Sequence, residues 1–134
     1  MSSRKAKALN GHVTTNEYQT IKVTPSGVKI LKGYGVNHSL PEYAHSPNSI
    51  YAKLDYKGSL RTLRFFNDKG YPIFEIGYHP EPRINFNNRK DPIVHFHLFN
   101  GIERDENAHR MDHHPEIKEK YKTFLKEFDL YDKC

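Results

Sequence analysis

The segment Ile93-Val94-His95-Phe96-His97-Leu98-Phe99 places two histidines two residues apart in a short apolar run. Alternation along a strand puts His95 and His97 on one face, with Val94, Phe96 and Leu98 on the other. Imidazole is a poor core filler but a good proton carrier or metal ligand near neutral pH. Cleavage of RNA by attack of its own 2′-hydroxyl needs a base, an acid and a cation that holds the phosphate as charge develops. His95 and His97, with His79, Glu75 and Arg64, form a candidate catalytic set of that kind. Arg61, Arg83, Arg89 and Lys90 are the candidate substrate-binding cations around it. This reading needs no cofactor. The rival reading leaves the imidazoles exposed on a solvent face, with Arg64 and Glu75 as ordinary surface residues of their strands.

A bound transition metal is the alternative chemistry. Two histidines on one strand face make a two-ligand seat, and His79, His109, His113 or His114 could complete it. The single cysteine, Cys134, is terminal, so a multi-thiolate site is excluded and no internal disulfide forms. No His-Glu-x-x-His motif and no acidic cluster suited to a hard cation is present.

The expected class is α+β: an antiparallel β-meander sheet with a C-terminal amphipathic helix packed on it. Residues 1–10 read as a flexible basic arm and 11–134 as a single domain. Tyr18–Val23 and Val28–Leu31 flank Thr24-Pro25-Ser26-Gly27, a good turn, and read as a hairpin. Residues 33–49, rich in Gly, Asn, Ser and Pro, form a long loop. Ser49–Tyr56, Leu60–Phe66 and Tyr71–Tyr78 alternate with the turns Lys57-Gly58 and Asn67-Asp68-Lys69-Gly70 and form a meander. Residues 80–91 loop to the histidine strand, the next in the sheet. From Pro115, Ile117, Tyr121, Phe124, Leu125 and Phe128 recur at helical spacing.

A chain of 134 residues fits one core of ordinary size. Only 36% of residues are hydrophobic, so nine Tyr and eight Phe must build much of that core, which leaves few aromatics for stacking bases. No apolar run approaches the roughly 20 residues that cross a bilayer, so no membrane association is expected. The basic N-terminus lacks the apolar stretch of a secretion signal. These features suit the cytoplasm of a producing, host or target cell. The net charge of +5 favours an acidic partner such as nucleic acid, RNA first. Lys53, Lys57, Arg61 and Arg64 outweigh Asp55 mid-chain, whereas acidic residues gather in the last third.

The motifs Ser46-Pro47-Asn48-Ser49, Arg64-Phe65-Phe66-Asn67-Asp68-Lys69-Gly70-Tyr71, Glu75-Ile76, His79, and Pro92 followed by His95-Phe96-His97 form an ordered series. Over residues 38–100 this series resembles the C-terminal toxin domains of bacterial polymorphic toxins and of some phage head-morphogenesis proteins. Those domains are predicted to be nucleases. The resemblance implies that Arg64, Glu75, His79, His95 and His97 occupy its motif positions. Three features depart from it. Gly77 stands where the family has a second acid, Ile93-Val94 separate Pro92 from His95, and the aromatic after the last histidine is displaced to Phe99. If the acid is catalytic in the family, this chain is a divergent or inactive version.

A toxin of this kind would have an immunity protein as partner. Because the chain is short and begins with its own Met, a stand-alone role is the second expectation. It would then be an inhibitor docking on a target protein or a protein–nucleic acid complex. A His-ligated, metal-dependent nuclease and a structural component of a phage particle complete the alternatives.

Overall fold

Turns closed by glycine set the register of the central strands. In the computed structural model, which describes residues 8–9, 12–13, 18–33, 40–44, 46–101, 103–105 and 107–134, Gly58 and Gly70 take positive φ values of 87° and 83°. Asn67 completes the second turn by accepting the backbone N–H groups of Lys69 and Tyr71 on its side-chain oxygen, at 2.9 and 3.0 Å. This is the local bonding that makes asparagine a turn residue. Gly70 also accepts the N–H of Ala44 at 2.8 Å, and a Cβ there would collide with the Ala44 carbonyl. The turn thus pins the segment 40–44 against the sheet.

The strands, in chain order, are β1 (Ala8–Leu9), β2 (His12–Val13), β3 (Tyr18–Val23), β4 (Lys29–Gly33), β5 (Ile50–Leu54), β6 (Leu60–Phe66), β7 (Pro72–Pro80), β8 (Pro92–Asn100), β9 (Glu103–Arg104) and β10 (His109–Arg110). An eight-stranded open sheet runs β10-β8-β7-β6-β5-β4-β3, with β9 added to β8. Strands β5 to β8 form the expected antiparallel meander, and β3–β4 the expected hairpin. The hairpin joins in a way the turn signals do not dictate: β4 lies parallel to β5, with Lys29 opposite Tyr51 and Ile30 opposite Ala52. The connection from β4 to β5 is a crossover rather than a turn, and a crossover permits parallel pairing. The expected basic arm falls largely outside the described residues. Its Ala8–Leu9 pairs with His12–Val13.

The C-terminal apolar stripe forms two short helices, α1 (Pro115–Lys120) and α2 (Lys122–Glu127), where the spacing predicts a single one. Pro115 starts α1 with its fixed φ. The break is at Tyr121, whose φ of −104° and ψ of 17° leave the helical region, although i→i−4 hydrogen bonds continue on both sides. Tyr121 lies flat on Phe74 with ring centroids 4.3 Å apart, and Phe65 packs against Tyr121 and Phe124. Such contacts add about 0.5–1.5 kcal/mol each beyond the area they bury.

Apolar residues cover both sheet faces. Leu63, Phe65, Phe74, Ile76, Val94 and Phe96 pack under the helices with Met111, Leu125 and Leu130. On the opposite face Tyr51 and Phe66 join Tyr18, Leu31, Leu40 and Ala44 in a smaller cluster. The histidine side of β8 shares that second face.

Candidate active site

Register alone assembles the site. Directly opposite residues of an antiparallel ladder share a face, and here Arg64 lies opposite Glu75, Glu75 opposite His97, Gly77 opposite His95, and His79 opposite Ile93. Four of the five candidate catalytic residues therefore form adjoining rows across β6, β7 and β8, and His79 extends the set toward the sheet end. His95 and His97 are buried, at 0% and 3% exposure, which rules out exposed imidazoles on a solvent face.

The three imidazoles are oriented alike. Their Nδ1 atoms lie 3.0 Å (His79), 2.8 Å (His95) and 3.0 Å (His97) from the carbonyl oxygens of Pro80, Ile93 and Asp105. A carbonyl only accepts, so each Nδ1 carries a proton, and in the neutral ring Nε2 is the acceptor. The rings stand edge to face, with centroids 4.6 Å apart for His79–His95 and 5.3 Å for His95–His97.

Gly77 is the floor of this arrangement. A Cβ there would lie 2.7 Å from Nε2 of His95 and 3.2 Å from Nε2 of His79, so the two nitrogens converge over a position that must lack a side chain. Nε2 of His95 is buried with no hydrogen-bond partner. Burial, reinforced by the charges His79 and His97 would carry, holds the His95 pKa down at about 4 despite its bond to Ile93. Burial and the charge of Arg104 also lower that of His97. Both rings are thus kept as neutral acceptors.

Glu75 is buried at 2% exposure and held by two guanidiniums, Arg64 Nη2 at 2.9 Å and Arg104 Nη1 at 3.1 Å. Burial alone would raise its pKa, but Arg64 and Arg104 together hold it below the usual carboxylate value. Arg64 also donates from Nη1 to the carbonyls of Pro41 (3.0 Å) and Leu40 (3.3 Å), and its guanidinium stacks on Phe99. Glu75 and Arg64 are therefore engaged in holding the site together rather than exposed on an ordinary strand surface.

Arg104 and Glu81 are the residues that sequence reasoning missed. Arg104 reaches the site because β9 folds back on β8 and sets it opposite Phe99, and half of its side chain stays exposed. Glu81, two residues beyond His79, brings a carboxylate near His95 and His97, with one ligand atom from each within 4.8 Å of the others. Its signal was the acid between two prolines in Pro80-Glu81-Pro82, a rigid spacing at a strand end.

The four candidate substrate-binding cations are arranged differently. Arg83 bonds Glu81 at 3.3 Å. Arg61 is exposed; burial first, then its charge, lowers the pKa of Lys53. Arg89 and Lys90 are exposed beyond the 3-10 turn Phe86–Asn88. Among the described residues, Arg61, Arg89 and Lys90 lie outside the hydrogen-bonded cluster. The further histidines weighed as ligands fall elsewhere. His109 and His114 pack on Phe96, on the helix face, and His113 is exposed beside Asp112. They cannot meet His95 through the sheet.

Comparison with protein-family models, curated proteins and solved structures finds no match to this chain. Among the described residues no helix is long and apolar enough to cross a membrane.

Proposed function

We propose that the protein is a nuclease whose reacting imidazole is His79, backed over Gly77 by His95, with RNA as the first substrate. The observation that carries the reading is the convergence of the His79 and His95 Nε2 atoms over Gly77, with the half-exposed Arg104 guanidinium held on Glu75, the next residue of β7 on the same face. His79 is the partly exposed member and the one a substrate hydroxyl can reach. In this reading Nε2 of His79 takes the proton from the 2′-hydroxyl as that oxygen bonds to phosphorus. The bond from phosphorus to the 5′-oxygen breaks, and His79 returns the proton to that oxygen. The products are a cyclic phosphate and a free 5′-hydroxyl.

Arg104 holds the phosphate. Arg64 and Arg104 against Glu75, with Glu81 offset by Arg83, leave one unit of positive charge around the imidazoles, which suits an anionic substrate. His95 and His97 shape the site rather than touch the substrate, since both are buried. The resemblance of residues 38–100 to predicted nuclease domains supports the same class, and a toxin role with an immunity protein as partner follows from it. Delivery would place the activity in the cytoplasm of a producing, host or target cell.

The test is incubation of the full chain with end-labelled RNA and DNA oligomers. Wild-type protein is expected to cut RNA to products ending in cyclic phosphate. His79→Ala should lower the rate by about 100-fold, within the usual contribution of a general base. Arg104→Ala should mainly raise KM. Binding of RNA without cleavage, or cleavage that His79→Ala leaves unchanged, would overturn the enzyme reading and favour the inhibitor or binding-protein role.

A further inference from the structure

An imidazole that is fully buried, with its Nε2 unpaired, calls for an occupant. A buried acceptor without a donor carries a desolvation cost of about 1–3 kcal/mol, and substrate cannot relieve it because His95 is 0% exposed. Three further observations define what would. His97 stands beside His95 with its Nδ1–H likewise fixed on a backbone carbonyl. That second bond is the usual support of a metal-bound histidine, since it sets the tautomer and aims the other nitrogen. Glu81 supplies an anionic oxygen to the same space. Gly77 keeps the space open.

We propose that His95, His97 and Glu81 bind one divalent transition metal ion of the zinc type, with a fourth coordination position open toward His79. The donor set decides the class of ion. Two imidazoles and one carboxylate suit zinc and its neighbours, whereas calcium and magnesium require mainly oxygen ligands. Three protein ligands and an open position distinguish a reactive zinc site from a structural one, which is closed by four.

Ligand atoms on a tetrahedral zinc stand ~3.3 Å apart for metal–ligand distances of ~2.0–2.1 Å, so an envelope of 4.8 Å has to close by about 1.5 Å on binding. Glu81 lies past the end of β7, and among the described residues its carboxylate is hydrogen-bonded by Arg83, whose side chain is 68% exposed and steadies it from outside. His79, edge-on to His95, is placed to take a proton from a water in the open position. The proposal stands apart from the nuclease reading, because it rests on the ligand set alone.

The test uses full-length protein stripped with EDTA and titrated with Zn²⁺ or Co²⁺, followed by calorimetry and by the visible spectrum of cobalt. One ion per chain is expected, with a four-coordinate cobalt spectrum and no comparable response to Mg²⁺ or Ca²⁺. Glu81→Gln and His97→Gln should each weaken binding by 100-fold or more, while the exposed His113→Gln should not. Glu81 lies outside the strand ladders, past the end of β7, so its substitution keeps the test valid if a histidine variant fails to fold. Absence of binding below millimolar concentration, or binding that Glu81→Gln and His97→Gln leave unchanged, overturns the site. Failure to cut RNA by a protein that binds the ion as described would strike the proposed function alone.

Discussion

Replacing Gly77 by alanine is expected to lower RNA cleavage by about 100-fold, the loss that follows when reacting groups are displaced by about 1 Å. The added Cβ would stand 2.7 Å from Nε2 of His95 and 2.9 Å from its Cε1, well inside contact distance. His95 cannot rotate away freely, because it is buried and its Nδ1 is bonded to Ile93. Overpacking of this kind costs roughly 1–3 kcal/mol of stability, so a modest fall in Tm should accompany the lost activity. Gly77→Asp is the sharper variant. If the glycine were merely a lost catalytic acid, restoring a carboxylate would raise the rate. The observed packing predicts a further loss instead. Cleavage rates of both variants beside their thermal unfolding curves decide between these accounts, and a faster Gly77→Asp enzyme would defeat this one.

The second large effect concerns Glu75. Removing one partner of a buried ion pair typically costs about 3–5 kcal/mol, because the remaining charge stays desolvated. Glu75→Ala should fall in that range, since it strands Arg64, whose side chain is only 12% exposed. Arg104 contributes less to the loss, because half of its side chain is in solvent that screens the pair. Glu75→Gln keeps the shape and one acceptor, so about 2–3 kcal/mol is expected. The damage should spread, since Arg64 also anchors the carbonyls of Leu40 and Pro41. Urea denaturation with linear extrapolation measures both variants. A change below about 0.5 kcal/mol for Glu75→Ala would place it among ordinary surface substitutions and contradict the structure.

Much of the site could be read from the chain because the ladder does the assembling. The two-residue spacing of His95 and His97 sets them on one face, and the turn at Asn67–Gly70 brings Arg64 opposite Glu75. What escaped the sequence depends on how loops return. Glu81 lies beyond the end of β7, and Arg104 sits on the two-residue β9, whose return onto β8 no local spacing predicts. The parallel pairing of β4 with β5 depends on a crossover that no local turn signal specifies. The break at Tyr121 is set by tertiary packing on Phe74, while the apolar period alone is continuous through it. Gly77 shows the limit most clearly. Compared with motifs it reads as a missing acid, and only the approach of two imidazole nitrogens gives it a role of its own.

Imidazole nitrogen NMR tests most directly whether His95 presents a bare Nε2 to the space over Gly77 and His97 one to the space it shares with His95 and Glu81. In metal-free protein at pH 7, the His95 and His97 rings should carry their proton on Nδ1. On acidification His95 should stay neutral until about pH 4, against an ordinary value of 6.5. Because the folded pKa is lowered, the neutral ring stabilises the fold above about pH 6.5, and this contribution fades as pH falls toward 4. A proton found on Nε2 of His95 or His97 at neutral pH, or a His95 already charged at pH 6, would contradict the account.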